Sequence, residues 1–189
     1  MKTKFAITTV SAILLAMSML VAACGGGTSG TAPAGVSQAG GGQVVPVAGN
    51  PIKNSSAAAG LEITSARVED NADPETKKNI PDCLQIELKN NSAQTMSNLE
   101  IFYKMTDSTT GASEGYYQKL EGLTLNPGQA KTIFFDNNTG SPGHYPENRY
   151  SIYRTSKNEV VFSIELSAPG FKPATAETKK SPGTSEQQD

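Results

Sequence analysis

Residues 99–105 read LEIFYKM, and apolar side chains recur at every second position of this stretch. One set of alternate positions holds Leu, Ile, Tyr and Met, while the other holds Glu, Phe and Lys. Successive side chains of a β-strand point to opposite faces of the sheet. The stretch therefore predicts a strand with one buried face and one wet face.

The same period of two recurs at residues 84–89 (LQIELK) and 160–166 (VVFSIEL). Four further stretches have strand-type sequences: residues 61–68, 116–120, 131–135 and 150–154. Turn-forming residues separate them, as in residues 126–129, NPGQ, which fit a type II turn. No stretch has a helical stripe with caps. About seven short strands with regular turns predict an all-β fold, a single immunoglobulin-like β-sandwich of antiparallel strands.

Two pairs of motifs resemble extracytoplasmic Ig-like modules of the FxLYD type. Residues 88–92 (LKNNS) followed by residues 96–103 (MSNLEIFY) are similar to the first pair of strands in those modules. Residues 125–129 (LNPGQ) followed by residues 132–135 (TIFF) are similar to their next turn and strand. The resemblance implies the fold rather than an activity. The chain has no Trp, so the Cys–Trp–Cys core of antibody domains is absent.

The N-terminus has the pattern of a secretory signal. Lys2 and Lys4 precede the uncharged apolar residues 5–23, and small residues come directly before Cys24. The sequence Leu20-Val21-Ala22-Ala23-Cys24 resembles the lipobox of bacterial lipoproteins. This implies that residues 1–23 are a signal peptide and that Cys24 is acylated. The lipid would anchor the protein on the extracytoplasmic face of the cell membrane or the outer membrane.

Two alternatives to the lipid anchor stay open. The apolar segment is close to the roughly 20 residues that a membrane-spanning helix needs, so it could remain as an uncleaved anchor. It could also be an ordinary cleaved signal that leaves Cys24 as a free thiol. Cys83 is the only other cysteine, so acylation of Cys24 would leave no disulfide partner. Cys83 is therefore predicted to be a small buried residue at the start of a strand.

Composition divides the remaining chain into three parts. Residues 24–58 are rich in Gly, Ala, Ser, Thr and Pro, with Lys53 as the only charge, and predict the lipidated cysteine and a flexible tether. Residues 59–171 are predicted to form the sandwich domain, and the polar residues 172–189 a disordered tail. The net charge of −2 gives no strong field for nucleic acid, so no nucleic-acid partner is expected.

The chain offers little catalytic chemistry. His144 is the only histidine, and neither a nucleophile motif nor a metal-type spacing accompanies it. It is predicted to fix its loop by packing or hydrogen bonding, with ligand contact as the functional alternative. Oxygen-bearing residues before Lys77 are candidate calcium ligands: Asp70, Asp73 and Glu75. No cofactor motif is found.

Aromatic side chains are the remaining signal for binding. One of Tyr116 and Tyr117 should be exposed because they are adjacent on a predicted strand, and one aromatic within residues 150–153 should be exposed as well. Exposed tyrosines are common in interfaces. The candidate ligand-binding residues are Tyr116, Tyr117, His144 and Tyr145.

These patterns favour a non-catalytic binding or structural module for an envelope protein or glycan, and not an enzyme. The alternative function is a module that binds a small ligand, carbohydrate or calcium.

Overall fold

The computed structural model describes residues 44–68 and 84–182. Within these ranges nearly all regular structure is β-strand, with one helix of 4 residues. The elements in chain order are β1 Leu61–Val68, β2 Leu84–Asn90, β3 Glu100–Asp107, β4 Ser113–Lys119, β5 Ala130–Phe135, β6 His144–Tyr145, α1 Ile152–Thr155, β7 Val160–Ser167 and β8 Ala174–Lys180.

The strands form two sheets of four. Sheet I has the order β1-β2-β5-β6 and sheet II the order β4-β3-β7-β8. Without the two-residue β6, one sheet holds β1, β2 and β5 and the other holds β4, β3, β7 and β8, a two-sheet arrangement of the kind found in immunoglobulin-like sandwiches. The predicted sandwich is confirmed. It differs from the expectation in having eight strands and one parallel pair, β5 with β6.

The core lies between the sheets, where the alternating apolar residues meet. Met105 of β3 pairs with Phe162 of β7, and Ile86 of β2 pairs with Ile133 of β5. All four side chains are buried. Each such burial stabilises the fold by about 1.5–3 kcal/mol. A shift of one residue would turn a whole strand's apolar set outward, so the core fixes the register.

The predicted tether over residues 24–58 was wrong for its second half. Residues 44–58, here called the strap, pack on the domain. The Val47 N–H donates to the Gly115 carbonyl at 2.8 Å, which makes a single β-bridge along the free edge of β4. Ile52 is buried. The strap therefore protects an edge that would otherwise be open to another chain.

Two asparagines bind the strap to sheet II. The Asn50 amide donates to a Glu165 carboxylate oxygen of β7 at 2.8 Å. The Asn54 amide nitrogen lies within hydrogen-bond distance of three oxygens: Ser167 Oγ (3.0 Å), Ala168 O (3.0 Å) and Phe171 O (2.8 Å). Composition gave no sign of this order, because the contacts are polar and depend on a sheet that is already built.

The predicted disordered tail over residues 172–189 was also wrong in part. Strand β8 pairs antiparallel with β7 along its whole length and completes sheet II. The Lys180 side chain is buried, and its ammonium donates to the Tyr153 carbonyl at 2.7 Å and the Ser156 carbonyl at 2.6 Å. Backbone pairing and one buried lysine thus order a strand whose sequence, ATAETKK, holds little apolar surface.

Residues 150–154, predicted as a strand, instead overlap the helix α1. The Ile152 N–H donates to a Glu114 carboxylate oxygen at 3.0 Å rather than to a neighbouring strand. Tyr153 is fully buried and packs edge-on against Phe162, with ring centroids 5.5 Å apart. Tyr150 is 65% exposed, which confirms that one aromatic of this stretch faces solvent.

The carboxylate of Asp107, at the end of β3, binds the loops on both sides of it. It accepts hydrogen bonds from the Ser156 hydroxyl (2.6 Å), the Thr110 N–H (2.8 Å), the Asn158 amide and the Thr109 N–H. These donors, the Ser156 hydroxyl first, hold the pKa of Asp107 well below its usual range. The ionised carboxylate therefore joins the loop after β3 to the segment before β7.

Candidate binding surfaces

Tyr116 lies inside the sandwich and is fully buried. Its ring stacks on that of Tyr103, with centroids 5.5 Å apart. Its hydroxyl donates to a Glu114 carboxylate oxygen at 2.6 Å and accepts from the Asn148 amide at 3.1 Å. The prediction of Tyr116 as a surface ligand contact was wrong. Its register partner Tyr103 faces the core, so Tyr116 faces the core as well.

Both core tyrosines are held neutral. Burial, followed by the hydrogen bond to Glu114, raises the pKa of Tyr116 well above its ordinary value. Burial, followed by the charge of Glu147, raises that of Tyr103. Glu147 itself pairs with the Arg154 guanidinium. This part of the structure is a hydrogen-bonded polar network that positions β4 and the segment before α1.

Tyr145 is also largely internal. Its ring packs on Phe135 at a centroid distance of 5.8 Å, and its hydroxyl donates to the Glu121 carbonyl at 3.3 Å. Burial raises the pKa of Tyr145 to about 12, so the hydroxyl remains a donor at neutral pH. With 8% of the residue exposed, Tyr145 supports the neighbouring loop rather than offering a surface contact.

Tyr117 points to the outer face of sheet II and is half-buried. Its register partner is Phe102, and its hydroxyl donates to a Glu100 carboxylate oxygen at 2.7 Å. Burial and this hydrogen bond raise the pKa of Tyr117 to about 12. Among the four predicted ligand-binding residues, Tyr117 and His144 are the two that keep exposed surface.

His144 is fixed on the outer face of sheet I. Its ring stacks on Phe134, with centroids 4.8 Å apart and an interplanar angle of 16°. Its Nδ1 lies 2.7 Å from an Asp136 carboxylate oxygen. Within the described residues, no serine, threonine or cysteine side chain is hydrogen-bonded to this ring. The contacts hold β6 beside β5, as the loop-fixing role requires.

Four predicted site residues lie outside the described residues: Cys24, Asp70, Asp73 and Glu75. Cys83, the predicted buried residue, also lies outside them. In the two ranges that the structure covers, no group of three His, Cys, Asp or Glu side chains could hold a metal ion.

The structure also contains a cleft of about 280 Å³ between residues 97–100 and 119–124. These two arms are joined at one end by the pairing of Glu100 with Lys119. At the other end, Met96 and Leu125 exchange two backbone hydrogen bonds of 2.9 Å. The two arms have unequal lengths, so they separate from each other between these two paired ends.

Polar groups form the rim of the cleft. Three further lining residues have side chains buried in the core: Leu99, Leu120 and Leu123. The rim residues are Ser97, Asn98, Glu100, Lys119, Glu121 and Thr124. Asn98 and Gly122 have positive φ values of 54° and 76°, which turn the arms sharply. Sequence reasoning missed this site. A glycine turn directly after a strand was visible, but the pairing that closes both ends was not.

Comparisons with known proteins found matches among solved structures alone. No protein-family model and no curated protein sequence matches the chain. Among solved structures it is similar to the archaellum periplasmic stator protein FlaG from Sulfolobus acidocaldarius, with 15% identity, coverage of 62% of this chain and 97% of FlaG, and a TM-score of 0.33. It is also similar to the sporulation control protein Spo0M from Bacillus subtilis, with 12% identity and a TM-score of 0.35. That match covers 67% of this chain and 50% of Spo0M.

Proposed function

We propose that the chain is a lipid-anchored envelope protein that displays a non-catalytic binding or structural module. The anchor is an acylated Cys24, and the module faces the extracytoplasmic side of the cell membrane or the outer membrane. The observation that carries the proposal is the succession of Lys2, Lys4, the uncharged residues 5–23 and the lipobox-type Cys24. A diacyl anchor is sufficient for stable membrane attachment.

The geometry of the domain supports binding over catalysis. The one histidine is engaged with Asp136 and Phe134, and two of the candidate tyrosines serve the core. Open polar groups line the cleft and lie beside Tyr117. Such surfaces suit recognition of an envelope protein or glycan. In the described part of the chain, no helix has the length and apolar character to cross a membrane.

The anchor is tested by replacing Cys24. Cells would express the full chain or its Cys24→Ser variant and receive a labelled fatty acid. We expect label and membrane retention in the parent and loss of both in the variant, with Cys83→Ser as the matched control that keeps both. Retention of unlabelled Cys24→Ser in the membrane would indicate the uncleaved helix instead.

The calcium alternative depends on Asp70, Asp73 and Glu75. Calorimetry of the full chain with Ca²⁺ tests it directly, with Asp70→Asn and Asp73→Asn together as the comparison. Heat of binding in the parent that disappears in the double variant would favour calcium. Absence of any heat of binding in the parent would remove calcium from the function, and equal heats in both chains would remove Asp70 and Asp73 as its ligands.

A further inference from the structure

Strand β4 lies at the edge of sheet II, with β3 as its only partner strand in the described part of the chain. At one end of this pair, the Leu120 N–H donates to the Leu99 carbonyl at 2.8 Å. At the other end, the Asp107 N–H donates to the Ala112 carbonyl at 2.9 Å. Alternate residues of an antiparallel pair form such bonds. Even-numbered residues of β4 therefore bond to β3, while the N–H and C=O groups of odd-numbered residues point away from the sheet.

Four residues present their backbone along this outer side: Ser113, Gly115, Tyr117 and Lys119. The Gly115 carbonyl accepts from the Val47 N–H of the strap at 2.8 Å. For the other three, no described residue supplies a hydrogen-bond partner to these backbone groups. A row of unpaired N–H and C=O groups at every second residue is the template with which another extended chain pairs.

The strap covers little of this edge. Because Val47 lies opposite Gly115 in an antiparallel bridge, the same register would place Val45 opposite Tyr117. Val45, however, makes no hydrogen bond to β4 and is 63% exposed. The asparagines of the strap bind instead to β7 and to the segment after it. A chain that displaced Val47 would thus break a single bridge and leave the polar attachments of the strap in place.

The strap also shows which side chains suit the edge. Val47, the residue opposite Gly115, is β-branched. The next outward position is that of Tyr117, and cross-strand pairs of an aromatic and a β-branched side chain are favourable. Tyr117 is half-buried, and its hydroxyl is held by Glu100 at 2.7 Å. An extended segment with β-branched residues at every second position therefore matches both places.

We infer that the edge of β4 binds an extended segment of a partner protein. The segment pairs antiparallel with Ser113–Lys119, as Val47 does, and adds a strand to sheet II. Backbone hydrogen bonds supply the affinity of such a contact, and the alternate side chains supply its selectivity. The strap limits access, because its bridge at Gly115 occupies one of the four positions. This inference rests on the proposed function, since it names the kind of partner that the displayed module binds.

The test is amide hydrogen exchange, measured by NMR on the full chain with a synthetic peptide as the probe. The peptide is Gln-Thr-Val-Thr-Val-Thr-Gln with blocked ends, and its valines would lie opposite Tyr117 and Gly115. At saturation it should slow the exchange of the outward N–H groups of Tyr117 and Lys119 by about tenfold or more. The N–H groups of Tyr116 and Gln118 face β3 and are the internal references, which should change little.

Methylated peptides test whether the backbone is recognised. N-methylation of both valines removes the donors that face β4, so this peptide should bind about tenfold more weakly. N-methylation of two threonines is the matched control. Their N–H groups point away from β4, so this peptide should bind as the parent peptide does.

Two strap variants test whether Val47 competes for the edge. Val47→Pro removes the donor to the Gly115 carbonyl, so the peptide should bind about fivefold more tightly. Val45→Pro is the matched control, because Val45 donates no hydrogen bond, and it should bind as the parent chain does. Melting curves should show both variants folded.

Three results would overturn the proposal: no added protection of Tyr117 and Lys119 at millimolar peptide, equal binding of the two methylated peptides, or equal binding by the two strap variants. Protection of the same N–H groups that rises with protein concentration, without peptide, would assign the edge to a second copy of the chain and also contradict it. None of these outcomes bears on the Cys24 anchor, which is tested by acyl labelling.

Discussion

The central strands of sheet II and the segments that flank them are ordered by different means. Strands β3 and β7 hold buried apolar residues at alternate positions, and they pair through eight registered residues. The strap and β8 hold few buried apolar residues and attach mainly through backbone hydrogen bonds and a few polar side chains. Strands β3 and β7 are stabilised by burial of apolar side chains, and these side chains recur at every second position of the sequence. The strap and β8 are stabilised by hydrogen bonds to strands that the rest of the chain must form first.

The comparison teaches that a composition typical of linkers does not set the boundary of a domain. Polar segments beside a sheet still gain ladder hydrogen bonds and cover apolar edges. The predictions below compare how much stability the domain loses when the strap or β8 is changed with how much it loses when a central strand is changed.

Removing both flanks should have the largest effect. A fragment of residues 60–171 lacks the strap and β8, which leaves both β4 and β7 as open edges and uncovers the buried end of the sandwich near Phe171. We expect this fragment to show no cooperative unfolding transition by circular dichroism, while residues 44–182 unfold cooperatively. A cooperative melt of residues 60–171 would show that the flanks are dispensable.

Truncation of a central side chain should come second. Phe162→Ala removes a fully buried ring that packs against Tyr153, and we expect a loss of about 3–5 kcal/mol in the free energy of unfolding. Ser163→Ala, exposed on the same strand, is the control and should change stability little. Urea denaturation measures both. A loss smaller than that caused by a single flank substitution, Lys180→Met or Asn54→Ala, would reverse the comparison.

The lysine of β8 should have a smaller effect. Lys180→Met keeps the buried stem but removes the donor to the carbonyls of Tyr153 and Ser156, for a loss of about 1–3 kcal/mol. The neighbouring Lys179 is exposed and pairs with Glu159 at 2.7 Å. Lys179→Met should therefore cost less than about 1 kcal/mol. Equal losses from the two lysines would remove the special role of Lys180.

Replacing the strap asparagine Asn54 should lower the free energy of unfolding by about 1 kcal/mol. Asn54→Ala removes the amide that reaches three oxygens at the end of β7. Asn138→Ala, in the exposed loop after β5, is the matched control. Amide hydrogen exchange should show faster exchange at Lys172, whose N–H donates to the Ala58 carbonyl at 2.7 Å. Unchanged exchange there would mean that the strap holds without Asn54.

Acid should loosen the loops joined by Asp107. Its pKa is lowered in the folded state, so its stabilising contribution is fully present above the unfolded value of about 3.9. That contribution is lost as pH falls from about 3.9 towards the folded pKa. Melting temperatures at neutral pH and at pH near 3 should differ less in Asp107→Asn than in the parent. An equal difference would assign the acid sensitivity to other carboxyls.

Alternation predicted the parts of the fold that carry apolar residues. Residues 84–89, 99–105 and 160–166 lie in or overlap strands as expected, because their burial is encoded locally. The strap, β6 and β8 could not be read in this way, since their order depends on partners far along the chain. The helix α1 also escaped, because the acceptor for the Ile152 N–H comes from Glu114.

The candidate site was predictable to a similar extent. Adjacent tyrosines implied opposite faces, but the assignment of Tyr116 to the core needed its pairing with Tyr103. The cleft could not be predicted at all, since it results from two chain segments that pair at both ends and separate between them.

The strap gives the domain a mechanical property. Its attachments follow one another along the chain at Val47, Asn50, Asn54 and Ala58. A force applied at residue 44 would therefore break these attachments one after another, beginning at Val47. It would not load all of them at the same time. Full peeling would release about 50 Å of extended chain, at roughly 3.5 Å per residue. If Cys24 anchors the protein, the strap would lengthen the connection to the membrane when it detaches under load. It would pack on the domain again when the load is removed.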